Sequence, residues 1–202
     1  VDTTVMPKAV AYSTDSRLLE RSRQYLVKAA GRCGLKLRQN YNREAPSLAL
    51  QVGRYAHAEQ FKRMNRALRA LRSRVGRIWR ELNRQKNLVV GAARQHLDGL
   101  LALTQRILTQ KRQDKNKLYA LHAPEVECIS KGKTRTPYEF GVKVSVTTTL
   151  KEGFVLGVCA MPGNPYDGHT LVPALAQAHR LSQVAIHTAV VDKGYKGATA
   201  GE

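Results

Sequence analysis

The sequence predicts an α/β protein: a mixed β-sheet whose first strand is separated from the others by a large basic α-helical insertion. Three features predict it. Runs with a period of two stand at the start of the 202 residues and again after Lys117. Between them, apolar residues recur at steps of three and four, the period of a helix face. The charge is confined to that middle: Asp15 to Lys117 holds 25 Lys and Arg against 7 Asp and Glu, while the rest of the chain holds 9 against 8.

The first strand is "VDTTV", β-branched at four of five positions, and it runs into a loop with a cap-like Ser-Thr-Asp cluster. A helix begins near Asp15, with Leu18, Leu19, Ser22, Leu26, Ala29, Ala30 and Cys33 on one face until Gly31 and Gly34 close it. Phe61, Met64, Leu68, Leu71, Val75, Ile78 and Leu82 form the clearest seam, on one long helix. That seam fits either packing against neighbouring helices or a dimeric coiled coil. Another helix spans about Ala92 to Lys111, with Leu97, Leu100, Leu101, Thr104, Ile107 and Leu108 inward.

After Lys117 the period becomes two. "YEFGVKVSVTTTL" and "FVLGVCAMPGN" read as a β-hairpin around "KEG", "DGHTLVPALAQAHRLS" as a helix capped by Asp167, and "IHTAVVD" as a last buried strand before a glycine turn. The expected segments are therefore a first strand in 1–14, the helical insertion in 15–117 and the remainder of the core in 118–202.

A net charge of +19 and a pI near 10.3 favour a polyanionic partner, and nucleic acid is the leading class. The long helix carries most of the argument. Arg63, Arg66, Arg69, Arg72, Arg74, Arg77, Arg80 and Arg84 repel one another at helical spacing unless phosphates neutralise them. The plainer reading is a solvated charged face.

Cys33, Cys128 and Cys159 show no zinc or disulfide spacing, which points to a reducing cytoplasm. No apolar run reaches bilayer length. Phosphate-binding loops, dinucleotide fingerprints and serine-hydrolase elbows are absent from the sequence, so those chemistries have no support in it. His57, His96, His122, His179 and His187 have no ligand spacing.

Two acids stand out by context: Asp2 within a β-branched strand and Asp192 after "TAVV". On neighbouring strands, both carboxylates would reach one divalent cation as hard oxygen ligands. The alternative is that each marks a strand end beside a turn. Asp167 and His169 in "YDGHT" either approach the catalytic cleft or serve as a helix cap and a first-turn residue respectively, and capping explains Asp167 adequately. Glu125, Glu127 and Glu139 are read as surface partners of Lys131, Lys133 and Arg135.

"VDTTV", "HAPEVECISKGKTRTPYEFGVKVSV", "MPGNPYDGHTL" and "VVDKGYKG" together resemble the DDE-type transposases of bacterial insertion sequences. The last of these matches the family's second acidic pattern of Asp, any residue, Gly, then Tyr or Phe. The resemblance implies a ribonuclease-H-like core holding two magnesium ions, with manganese as a substitute, on two Asp and one Glu. By it, Asp2 is the first acid and Asp192 the second. The third belongs in a later Tyr-x-x-Arg-x-x-x-Glu segment, and Glu202 in "TAGE" lacks that context.

The implied activity is metal-dependent strand cleavage and strand transfer on the element's terminal inverted repeats and target DNA, by a homo-oligomer in its complete form. With Val1 first and "KGATAGE" last, the chain reads as a fragment of such an enzyme, inactive by itself. A non-enzymatic basic DNA-binding module is the other expectation.

Overall fold

A computed structural model describes residues 1–10, 13–130, 134 and 137–197. The chain divides into two compact units, one built from Val1–Val10 with Glu125–Glu202, the other from Ala11–Pro124. Lys131, Lys133, Arg135 and Glu202 lie outside the described residues.

In the first unit, β1 (Asp2–Pro7), β2 (Glu127–Ser130), β3 (Tyr138–Thr148) and β4 (Val155–Met161) form one sheet. The long β3 is its centre: β1 pairs along it from Val146 to Gly141, β2 from Gly141 to Tyr138, and β4 from Lys143 to Thr148. Because Gly141 pairs with both β1 and β2, these two lie on opposite edges of β3, and β4 follows β2 along the second edge. Every pairing among the described residues is antiparallel. α5 (Asp167–Ser182) packs on β3 and β4 through Leu171, Ala174 and Ala178.

The expected mixed sheet is corrected by this topology. It required "IHTAVVD" as a further strand, and among the described residues that stretch has no ladder; Ala189 and Val190 are exposed. β-branched residues favour a pleated, half-buried surface and do not create one, and among the described residues no strand pairs with this segment. The nitrogen of Val1, just before β1, donates to the Val190 carbonyl at 2.9 Å.

Gly141 fixes how closely β1 approaches β3. A Cβ there would collide with the Met6 carbonyl and come within 2.8 Å of Val5 Cγ1, so only glycine admits the pairing.

The second unit is helical: α1 (Asp15–Arg32), α2 (Glu44–His57), α3 (Phe61–Gln85) and α4 (Gly91–Thr109). Thr14 caps α1 by accepting from Arg17 N, at the Ser-Thr-Asp cluster. α1 packs on α3 and α4, and α2 lies along α3. Leu71, Val75, Ile78 and Leu82 are fully buried, each contributing roughly 1.5–3 kcal/mol relative to exposure. Trp79 Nε1 donates to the Leu101 carbonyl at 2.9 Å and ties α3 to α4.

The seam read from Phe61 is buried only in its second half. Phe61 is exposed and Met64 and Leu68 half-buried, the latter two lining an open groove with α1 and α2. α2 escaped the sequence reading: only Ala45 and Val52 on it are buried, too few for a legible period, though Pro46 in its first turn suits a helix start.

Candidate active site

In the first unit, Asp2 stands at the start of β1, Asp167 at the start of α5, and Asp192 just before a short 3₁₀ turn at Lys193–Tyr195. Asp192 Oδ1 accepts the Gly194 N–H at 2.8 Å, the bond that shapes this turn. Asp167 Oδ1 accepts Thr3 Oγ1 at 2.8 Å and Lys143 Nζ at 2.9 Å. Lys143 also donates to the Pro165 carbonyl at 2.7 Å, and only 13% of its side chain is exposed. Tyr166 OH donates to the Lys196 carbonyl at 2.7 Å, holding the start of α5 to the same turn.

Gly194 is the close point between two carboxylates. A Cβ at this position would stand 2.9 Å from Asp192 Oδ1 and 3.2 Å from Asp167 Oδ2. Asp192 is thus brought beside Asp167, the acid expected either as a helix cap or near the cleft. The capping reading is corrected: α5 starts at Asp167 itself, Tyr166 occupies the cap position, and no side-chain cap bond forms. The Asp167 carboxylate is turned to β1 and β3 instead. His169 is exposed and meets Tyr166 edge-to-face at 5.7 Å between ring centroids.

Asp2 reaches this corner from another side. It is exposed, and its Oδ1 accepts the Thr3 N–H at 2.7 Å. Strand alternation places Asp2 on the face opposite Thr3, so it is Thr3 that meets Asp167. Tyr195 links the acids through their fields: its ring is buried, burial foremost raises its phenol pKa, nearby Thr170 and Ser145 side chains oppose that rise, and the charges of Asp167 and Asp2 add to it. The Tyr195 hydroxyl and Ser145 Oγ, both buried, lack a well-formed hydrogen bond among the described residues. Among those residues, no three His, Cys, Asp or Glu side chains converge as a metal-holding group.

Glu125 pairs with Lys8 at 3.0 Å; the basic partners read for it, Lys131, Lys133 and Arg135, fall among the residues not described.

The arginines of α3 divide by environment. Arg63, Arg66, Arg69, Arg77, Arg80 and Arg84 are exposed. Arg74 is taken by Glu44, with Nε to Oε1 at 3.0 Å and Nη2 to Oε1 at 2.8 Å, and its guanidinium lies 5.5 Å from the centre of the Tyr41 ring. Arg72 stands 3.8 Å from Asp15. No helix among the described residues is long and apolar enough to cross a membrane.

No family model matches the chain, and no solved structure matches it significantly. A curated relative, "Uncharacterized protein ORF8 in nfe locus" of Rhizobium meliloti, is 54% identical over 61 residues, which is 30% of this chain and 30% of that protein. The match thus spans under a third of the relative's length.

Proposed function

We propose that this chain carries catalytic acids of a DDE-type insertion-sequence transposase, on a core of ribonuclease-H-like kind. The observation that supports it best is the approach of the Val1 main-chain nitrogen to the Val190 carbonyl at 2.9 Å, one residue from Asp2 and two from Asp192. The motifs "VDTTV" and "VVDKGYKG" carry the family resemblance, and each places its acid at one end of that contact.

In this reading, water attacks a phosphodiester at the element's end, breaking a P–O bond and freeing a 3′-hydroxyl. That hydroxyl then attacks a target phosphodiester in line, forming one P–O bond as another breaks. Asp2 and Asp192 suit magnesium, which is commonly held by one or two carboxylates together with water and substrate phosphate oxygens. Bound there, it supplies charge neutralisation at the reacting phosphate. The protein's own part is to hold Asp192 through Gly194 N–H, and to keep Asp167 engaged with Thr3 and Lys143 beside it.

The test is plasmid nicking by the product of the complete gene. Asp2→Asn and Asp192→Asn should each abolish magnesium-dependent nicking while DNA binding stays within about threefold, the range of a rim charge change. Nicking that survives Asp192→Asn contradicts the reading.

A second reading, a DNA-binding module without catalysis, draws support from the exposed arginines of α3, which need no acid. It predicts DNA binding indifferent to magnesium and no nicking by the complete product.

A further inference from the structure

In the helical unit, the loop between α1 and α2 lies over the second half of α3, and the two enclose an open cleft lined by Arg38, Tyr41, Arg43, Arg77, Arg80 and Arg84. We propose that this cleft is a sequence-independent seat for the phosphodiester backbone of a nucleic acid. The inference deepens the DNA-binding part of the proposed function and is independent of the catalytic part.

The cleft is held in shape from within. Arg23, only 3% exposed, donates to the Asn40 carbonyl at 3.0 Å from beneath the loop, and the Arg38 N–H donates to Glu81 Oε1 at 2.9 Å. Gln85 Nε2 donates to the Lys36 carbonyl at 3.1 Å. Tyr41 sits at a φ of 55°, a left-handed conformation that a non-glycine residue rarely adopts, and its carbonyl accepts the Ala45 N–H at 3.0 Å. Strain of this kind, kept by a surrounding network, is a mark of a preorganised site.

The charge in the cleft is only partly compensated: six arginines line it against Glu44 and Glu81, and Glu44 lies in the field of Arg77 as well as of Arg74. Its two acids have partners of their own, Glu44 with Arg74 and Glu81 with the Arg38 amide. Arg38, Arg43, Arg77, Arg80 and Arg84 have no ion-pair partner among the described residues. Arg77 to Arg84 covers two turns, about 10.5 Å of helix rise. A row that long exceeds one small anion and reaches more than one phosphate of a nucleic-acid strand. No aliphatic side chain lines the cleft, so it lacks the apolar contact that an interfacial helix buries in a lipid surface.

The experiment uses the whole 202-residue chain and a fluorescein-labelled mixed-sequence DNA duplex, read by anisotropy across a NaCl titration. R77Q/R80Q/R84Q should weaken binding at least about tenfold and lower the slope of log K against log salt by about 2–3. R63Q/R66Q/R69Q removes the same charge from the other end of α3 and should stay within about threefold of wild type, with the slope lowered by less than about 1. Binding is read without magnesium, so its outcome stands apart from that of the nicking test of the catalytic reading.

Equal loss in the two triples, or loss in neither, overturns the proposal, as does capture by phosphatidylserine vesicles that depends on the same three arginines. Should the cleft triple lose helicity by circular dichroism, Arg80→Glu and Arg84→Glu singly carry the same comparison against Arg66→Glu.

Discussion

Thr3 Oγ1 donates a 2.8 Å hydrogen bond to Asp167 Oδ1, joining the first strand to the first turn of α5 across 164 positions of sequence. The same oxygen receives Lys143 from the central strand at 2.9 Å. Asp167 is therefore the joint at which β1, β3 and α5 meet. Asp167→Ala leaves the mostly buried Lys143 ammonium short of its counter-charge and should lower the unfolding free energy by about 1–3 kcal/mol. Thr3→Val should cost about 1 kcal/mol. In urea titrations the double variant should lose less than the sum of the two; additivity within about 0.3 kcal/mol would show that the bond carries no coupling.

Tyr195→Phe offers a test with the opposite sign. Its hydroxyl is buried without a well-formed bond, so its removal should leave stability unchanged or raise it by up to about 1 kcal/mol. Burial raises the phenol pKa above 10, so the neutral form is the one the fold favours. The corresponding stability is complete below the ordinary tyrosine pKa and fades as pH climbs through the raised value. Ultraviolet titration should show a phenol ionising later than the others, absent from the phenylalanine variant.

Glu44 and Arg74 set an acid-side dependence in the helical unit. The hydrogen bonds from Arg74 hold the Glu44 carboxyl below its ordinary value, with desolvation opposing them, and raise Arg74 in turn. A depressed carboxyl stabilises the fold above its unfolded pKa and loses that contribution as pH falls through the folded one. The difference in urea midpoint between wild type and Glu44→Gln should therefore hold near neutrality and shrink below about pH 4.5, where the unfolded carboxyl begins to take its proton. It is small, since Glu44 is exposed.

Arg23 and Glu20 form a bidentate pair under the cleft loop, at 2.8 and 2.6 Å, with Arg23 nearly fully buried. Arg23→Ala strands Glu20 and should cost about 3 kcal/mol, beyond what an exposed pair contributes. It also frees Asn40 and should speed amide exchange over the loop from Lys36 to Arg43.

The helices carrying strong periods were legible in the sequence. α1, α3 and α4 occupy the stretches read for them, and so does the hairpin of β3 and β4, because burial of one face leaves its period on the residues. β1 was legible from Asp2, Thr3, Thr4 and Val5 alone. α2 and β2 were not, since α2 buries little and β2 is four residues held by its neighbour. The apolar "TAVV" promised a strand that lacks a ladder, as strand formation depends on what lies alongside. Asp2 and Asp192 stood out by their local settings; Asp167 did not, because its partners Thr3 and Lys143 are remote in sequence and its place at the head of a helix already had an explanation.

The most direct test of the paired acids uses two amides as reporters: Thr3 N–H bonds Asp2, and Gly194 N–H bonds Asp192. Substoichiometric Mn2+ added to the isotope-labelled chain should broaden both amide resonances together, and Asp192→Asn should abolish the broadening at Thr3 as well as at Gly194. Broadening at Thr3 that persists in Asp192→Asn, or no broadening at either amide in the wild type, would contradict a shared cation site on Asp2 and Asp192.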